Sequence, residues 1–165
     1  MNYFKIFLGI FATLAASRFI PHPPNFTSLI ALSFYIPAIL GIKYLPALIL
    51  SFLITDYFLG FHSTIFFTWG SVIIISLLSK YFTRNIFSRI SGALLGSVLF
   101  FIITNFGVWT LGSHGYALNG FILCYTLALP FFGYNVISTF IFSAIIESIY
   151  KIYLTKTKLN KNINL

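Results

Sequence analysis

Six stretches of this chain, at about residues 2–20, 27–42, 44–60, 65–82, 90–112 and 131–154, are apolar over the length of a membrane crossing or nearly so. A spanning helix needs about 20 mostly apolar residues, with a range of about 17–25. Only short polar connections part these stretches. Just 7% of the 165 residues are charged, against roughly a quarter in soluble domains. So few charges cannot cover a water-facing surface, and the class that follows is an all-α integral membrane protein. The expected fold is one domain of six transmembrane helices over residues 1–154, with a polar tail at 155–165 that frays. The second and third stretches are short, and Pro37 and Pro46 are expected to kink or end them. A further apolar piece at about 117–129 is stopped by Pro130 and is too short to cross. It is expected to form a separate interfacial or re-entrant helix before the last span.

The net charge of +8 would raise nucleic acid as a partner of a soluble protein. Here the cations stand at the ends of apolar stretches, so they carry topology and no nucleic acid is expected. Lys5 precedes the first stretch, and Lys43 lies between the second and third. Lys80, Arg84 and Arg89 lie between the fourth and fifth, while Lys151, Lys156, Lys158 and Lys161 follow the sixth. With six spans all nine fall on one side. By the positive-inside rule that side is the cytoplasm, and both termini lie there.

The tenth cation, Arg18, stands at the opposite, outer end of the first stretch, and Asp56 stands at the outer end of the third. An ionised residue within a span costs about 2.5–3.5 kcal/mol on insertion scales. Two residues of opposite sign at one depth are expected either to pair as a structural clamp or to share a polar ligand. The only other acid, Glu147, has Lys151 one helical turn on as its expected partner.

Polar chemistry gathers at the outer end. Arg18 opens a knot, Arg18-Phe-Ile-Pro-His-Pro-Pro-Asn-Phe26, that holds His22 and Asn25; His62 and His114 follow the third and fifth stretches. Asn105 and Trp109 are four residues apart and share one helix face. An amide buried in a membrane helix needs a partner or a ligand. A cavity open to the outside accounts for this asymmetry. The three histidines bring metal or haem to mind, but none has a close ligand spacing such as i, i+4, and the site is read without metal or cofactor. Cys124 reads as a small apolar packing residue.

Nothing points to bond chemistry. The chain has no Gly-rich loop ending in Gly-Lys-Ser/Thr, no His-Glu-x-x-His and no Gly-x-Ser-x-Gly. It is read as a protein that is not an enzyme. Two small-residue motifs, Ala12-x-x-x-Ala16 and Gly92-x-x-x-Gly96, allow close helix approach, with internal packing favoured for the glycines.

Three blocks carry a resemblance. Arg18 with Pro21-His-Pro-Pro-Asn-Phe-Thr27, Asp56-Tyr-Phe-Leu-Gly-Phe-His62-Ser-Thr64, and Thr104-Asn-Phe-Gly-Val-Trp109 resemble an uncharacterised family of bacterial membrane proteins. That family is in turn similar to the substrate-binding S components of energy-coupling factor (ECF) transporters. Cys124-Tyr125 through Pro130-Phe131 extends the likeness. The resemblance implies a six-helix S-component-like bundle in the bacterial inner membrane, with both termini inside, that takes up a vitamin-like micronutrient. It implies a scaffold membrane subunit and two ATPases as partners, met through an Ala-x-x-x-Ala patch that Ala12 and Ala16 match. The chain begins Met1-Asn2-Tyr3, unlike the Met-His start of the cobalt and nickel members.

Two functions stand side by side on this reading, with, as a third, a membrane enzyme or a metal- or haem-binding protein that uses the histidines. In the first, the chain is an importer's binding subunit. Arg18 holds an anionic group, Asp56, His22, Asn25, His62 and Asn105 supply polar contacts, and Trp109 stacks on a ring. In the second, it is a structural or assembly protein of the membrane, and Arg18 with Asp56 is only a clamp. On either, the cation pattern makes a testable statement. A reporter active only in the cytoplasm, fused after Leu165, is expected to be active. A phosphatase active only outside, fused at the same place, is expected to be silent.

Overall fold

The computed structural model describes residues 2–163, with side chains up to Thr157. The protein is 83% helical, with no strand among the described residues. In lipid only a helix satisfies a lone segment's N–H and C=O groups internally. The bundle runs α1 (Tyr3–Phe19), α2 (Leu29–Tyr35), α3 (Leu45–Leu59), α4 (Ile65–Leu78), α5 (Ile86–Thr110) and α6 (Leu118–Ile163). Short turns of tighter or wider helix extend some of these. The helical stretches 42–59, 65–82, 86–110 and 118–157 are each long and apolar enough to cross a membrane. The build is that of an all-α membrane protein.

Where six spans are expected, the second and third of them short, four helices are long and apolar enough to cross a membrane, and α1 and α2 are shorter. The helix α1 has 17 residues. Its Asn2 side chain caps the first turn at Phe4, and its last turn carries Arg18. Ile6, Ile10 and Leu14 form its buried stripe, four residues apart, and pack mainly on α3. The helix α2 is shorter still and all seven of its residues are buried. It lies at the centre, touching α1, α3, α4, α5 and α6. Pro37 does not end it. Proline has no N–H to return to the preceding turn, so the helix widens into a π-helical turn over Ile36–Leu40 and stops at Gly41, whose φ is +98°. Pro46 falls in the first turn of α3, where no N–H is required.

The separate helix expected at 117–129 does not exist as such. It is the start of α6, a single helix of 46 residues with Pro130 inside it. Proline there removes one backbone bond, whereas ending the helix in apolar surroundings would strand several. The tail expected to fray from residue 155 is helical through Ile163, while Asn164 and Leu165 lie outside the described residues. The side chains of Lys158 and Lys161 lie outside them too.

Contacts fix the register of α6 against α5. Cys124 Sγ faces the Asn105 carbonyl at 3.4 Å, and Tyr125 donates to the Ile102 carbonyl at 2.8 Å. Further along, Ser97 donates to Thr139 at 2.9 Å. At the far end Arg89 grips Glu147 with two bonds of 2.6 Å each. The two helices therefore run antiparallel from Cys124 to Glu147, and the rest of α6 projects past the bundle. The Arg89 fork displaces Lys151 as the expected partner of Glu147. A planar guanidinium binds both carboxylate oxygens at once, which a lysine one turn away cannot do.

Gly92 and Gly96 face inward. A Cβ on Gly92 would lie 2.5 Å from the Phe34 ring and 2.7 Å from Phe82 Cβ, and one on Gly96 would lie 3.1 Å from Ile75. Gly9 on α1 has open space around it. Gly92→Leu is therefore expected to lower stability by about 1–3 kcal/mol or more, as overpacked sites do. Gly9→Ala should leave the melting temperature unchanged or raise it. Thermal unfolding of both variants in detergent checks the contrast.

Candidate functional site

The short central helix creates the site. With its π-helical turn α2 covers Leu29–Leu40, which at about 1.5 Å per residue is roughly 18 Å. The 25 residues of α5 run about 37 Å on the same rise. The longer helices therefore enclose space beyond the α2 N-terminus that α2 does not fill. Two adjoining cavities of about 340 and 270 Å³ occupy it.

Leu29 and Ile30 form the floor. Phe52 of α3, Thr68 of α4, Phe100 of α5 and Asn135 of α6 contribute to the walls. Two connections close over the top. In the first, His22 Nδ1 donates to the Pro23 carbonyl at 2.7 Å, and Asn25 sits at φ +63°, a left-handed conformation that asparagine tolerates. The second brings His62, whose Nε2 lies 2.7 Å from Thr68 Oγ1. The Thr68 hydroxyl gives its own proton to the Thr64 carbonyl at 3.0 Å, so His62 Nε2 is the donor and Nδ1 is left over.

Of the residues expected from the sequence, Arg18, His22, Asn25 and His62 line the larger cavity. Asn25, His62 and Asn105 line the smaller. Asn105 spends its Nδ2 on the Phe101 carbonyl at 2.7 Å. Asp56 is only 1% exposed and lines neither cavity. Its Oδ1 lies 2.6 Å from Arg18 Nη2, and its Oδ2 accepts from the indole N–H of Trp69 at 2.8 Å. Arg18 also donates through Nη1 to Thr55, and its guanidinium rests 4.8 Å from the Phe52 ring centroid. The pair is thus a clamp across α1, α3 and α4, with one face of the cation reaching the larger cavity.

Trp109 lines neither cavity; its ring packs on Phe106 and Phe121. His114 is also outside both. Among the described residues no group of three His, Cys, Asp or Glu side chains could hold a metal ion. Ala12 and Ala16 are exposed on α1, away from the buried stripe.

Sequence reasoning missed Asn135 and Thr68. Asn135 is 5% exposed, lines both cavities, and no hydrogen bond joins its carboxamide to another described residue. The signal was present, since a lone amide amid an apolar span is costly unless something meets it. Thr68 reads as an ordinary helix residue until the 60–64 connection folds back over it.

The chain belongs to DUF6580, a family of unknown function, which it matches over residues 1–161. No curated protein and no solved structure matches it.

Asp56→Ala is expected to destabilise the protein by about 3–5 kcal/mol, because it leaves Arg18 and the Trp69 N–H without their counter-group. Removing both charges, in Arg18→Met/Asp56→Leu, should cost less than the two single changes added together. A double-mutant cycle by thermal or denaturant unfolding measures that coupling.

Proposed function

We propose that this member of DUF6580 is a substrate-binding integral membrane subunit of an ECF-type importer, holding a vitamin-like or other small micronutrient in the chamber beyond α2. The observation that supports the reading most is Asn135. The carboxamide of this buried α6 residue, without a hydrogen-bond partner among the described residues, lines both cavities, whose walls mix polar and aromatic side chains and leave space for a solute. Burying such a group costs about 1–3 kcal/mol on protein scales unless something hydrogen-bonds to it. A solute or water in the chamber supplies that partner.

In this reading the protein binds and moves and does no bond chemistry. His22, Asn25, His62 and Asn105 join Asn135 as contacts, and the two connections, 20–28 and 60–64, are the parts that open. Trp109 supports the α5–α6 contact rather than the solute. The chain crosses the bacterial cytoplasmic membrane several times with its basic end and both termini in the cytoplasm. A scaffold membrane subunit meets it at Ala12 and Ala16, where α1 has small side chains directed away from the bundle, and ATPases power the import cycle.

A second reading draws on a different observation. The Arg18–Asp56–Trp69 set is complete without any ligand. That favours a structural or assembly protein in which the outer end is a clamp.

Native mass spectrometry of the detergent-purified protein separates the two. The binding reading expects a co-purified small molecule on the wild type that is lost from Asn135→Leu while the variant stays folded. An empty wild type moves the structural reading ahead. For the partner, Ala12→Leu/Ala16→Leu is expected to keep the stability of the isolated chain and to lose co-purification of the scaffold subunit and its ATPases.

A further inference from the structure

We infer that the molecule taken by this chamber is uncharged: a neutral compound with hydrogen-bonding edges and a flat or apolar face, such as a heterocycle bearing amide-type groups. The inference rests on the solute-binding reading and adds the chemical class to it.

Among the described residues, Arg18 is the one Lys, Arg, Asp or Glu side chain that lines either cavity. Its charge is already cancelled inside the protein. Asp56 meets Nη2 at 2.6 Å, Thr55 accepts from Nη1, and Phe52 covers one face of the guanidinium. An anionic ligand would have to share that cation with Asp56. Two anions would then crowd one guanidinium in a space walled by phenylalanine, where the low dielectric strengthens their repulsion. A cationic ligand fares no better. Asp56 lies behind Arg18 and outside both cavities, and its two oxygens are already taken by Arg18 and Trp69.

What the chamber leaves unused is amide and imidazole, the imidazoles being those of His22 and His62, with no carboxylate or ammonium among them. Asn135 offers both halves of its carboxamide. Asn105 keeps its carbonyl oxygen, because its Nδ2 is bonded to Phe101. His62 keeps Nδ1, because Nε2 is bonded to Thr68. These groups can accept from and donate to amide-type edges without any change of net charge. The remaining wall is aromatic, with Phe52 and Phe100 in the larger cavity and Phe100, Phe101, Phe131 and Phe132 in the smaller. Such surfaces suit a flat or apolar face.

The test uses the full chain purified in detergent. The molecule released from the wild type is identified by mass, and its charge at neutral pH is read from its retention on anion and cation exchangers. Two variants run beside it. Arg18→Gln/Asp56→Asn removes both charges and keeps hydrogen-bonding groups in their place, and Asn135→Leu removes the free amide. The expected result is a molecule held by neither exchanger, with occupancy unchanged in the double variant and mostly lost in Asn135→Leu. A released carboxylate, phosphate or ammonium compound overturns the inference and leaves the binding reading standing. This holds whether or not the double variant folds, since the wild-type molecule alone decides its charge. A wild type that releases only lipid or detergent, or nothing, sinks the binding reading and this inference together.

Discussion

Asp56 is the residue on which the chamber end of this bundle depends. Its two carboxylate oxygens tie Arg18 of α1 and Trp69 of α4 to α3. The helix α1 is peripheral; it packs mainly on α3 through Ile6, Ile10 and Leu14 and reaches α2 only slightly. Near its C-terminal end Ser17 and Ser28 bond at 2.8 Å, and the Arg18–Asp56 pair adds the charged contact. A buried pair of this kind is weak evidence of net stability, because desolvation offsets much of the Coulomb gain. Its effect is specificity. Other arrangements of α1 leave a charge unpaired in lipid, and the native one does not.

That fixed frame gives the chamber its walls. The space exists because α2 is short and central, and it stays polar because the connections over it carry histidines, an asparagine and threonines. Many of the bundle's hydroxyls are satisfied internally, although those of Tyr35 and Ser143 are buried without a partner among the described residues. Ser33 bonds to the Leu29 carbonyl, Ser76 to the Ser33 carbonyl across the α2–α4 contact, and Ser97 to Thr139 across α5–α6. The Asn135 carboxamide differs from these groups in that its residue lines both cavities.

The opposite end is built on a second charge fork, Arg89 with Glu147, backed by the Tyr150 ring 5.4 Å from the guanidinium. Lys43 and Lys80 there lie over the rings of Tyr44 and Tyr81. Cations and tyrosines together suit a membrane–water boundary, where the ring is half buried and the charge reaches water. Each end thus carries one acid bound by an arginine, Asp56 by Arg18 and Glu147 by Arg89. The lysines with described side chains, Lys5, Lys43, Lys80, Lys151 and Lys156, lie toward the end away from the chamber.

The sequence by itself determined the class, because so few charges across long apolar stretches leave no other way to satisfy the backbone. It also put Arg18 and Asp56 at one depth in lipid, where they either pair or share a ligand, and the structure pairs them. The inward role of Gly92 and Gly96 followed from their size and spacing. Tertiary structure decided what local rules could not. Pro130 reads as a stop, yet α6 passes through it because α5 runs alongside and ending the helix would strand more bonds than proline removes. Lys151 is one turn from Glu147, yet Arg89 reaches that carboxylate from another helix with better geometry. Trp109 shares a face with Asn105, yet α6 covers it with Phe121. Asn135 reads as one amide in an apolar run, and only the shortness of α2, a property of the whole packing, opens a polar space before it.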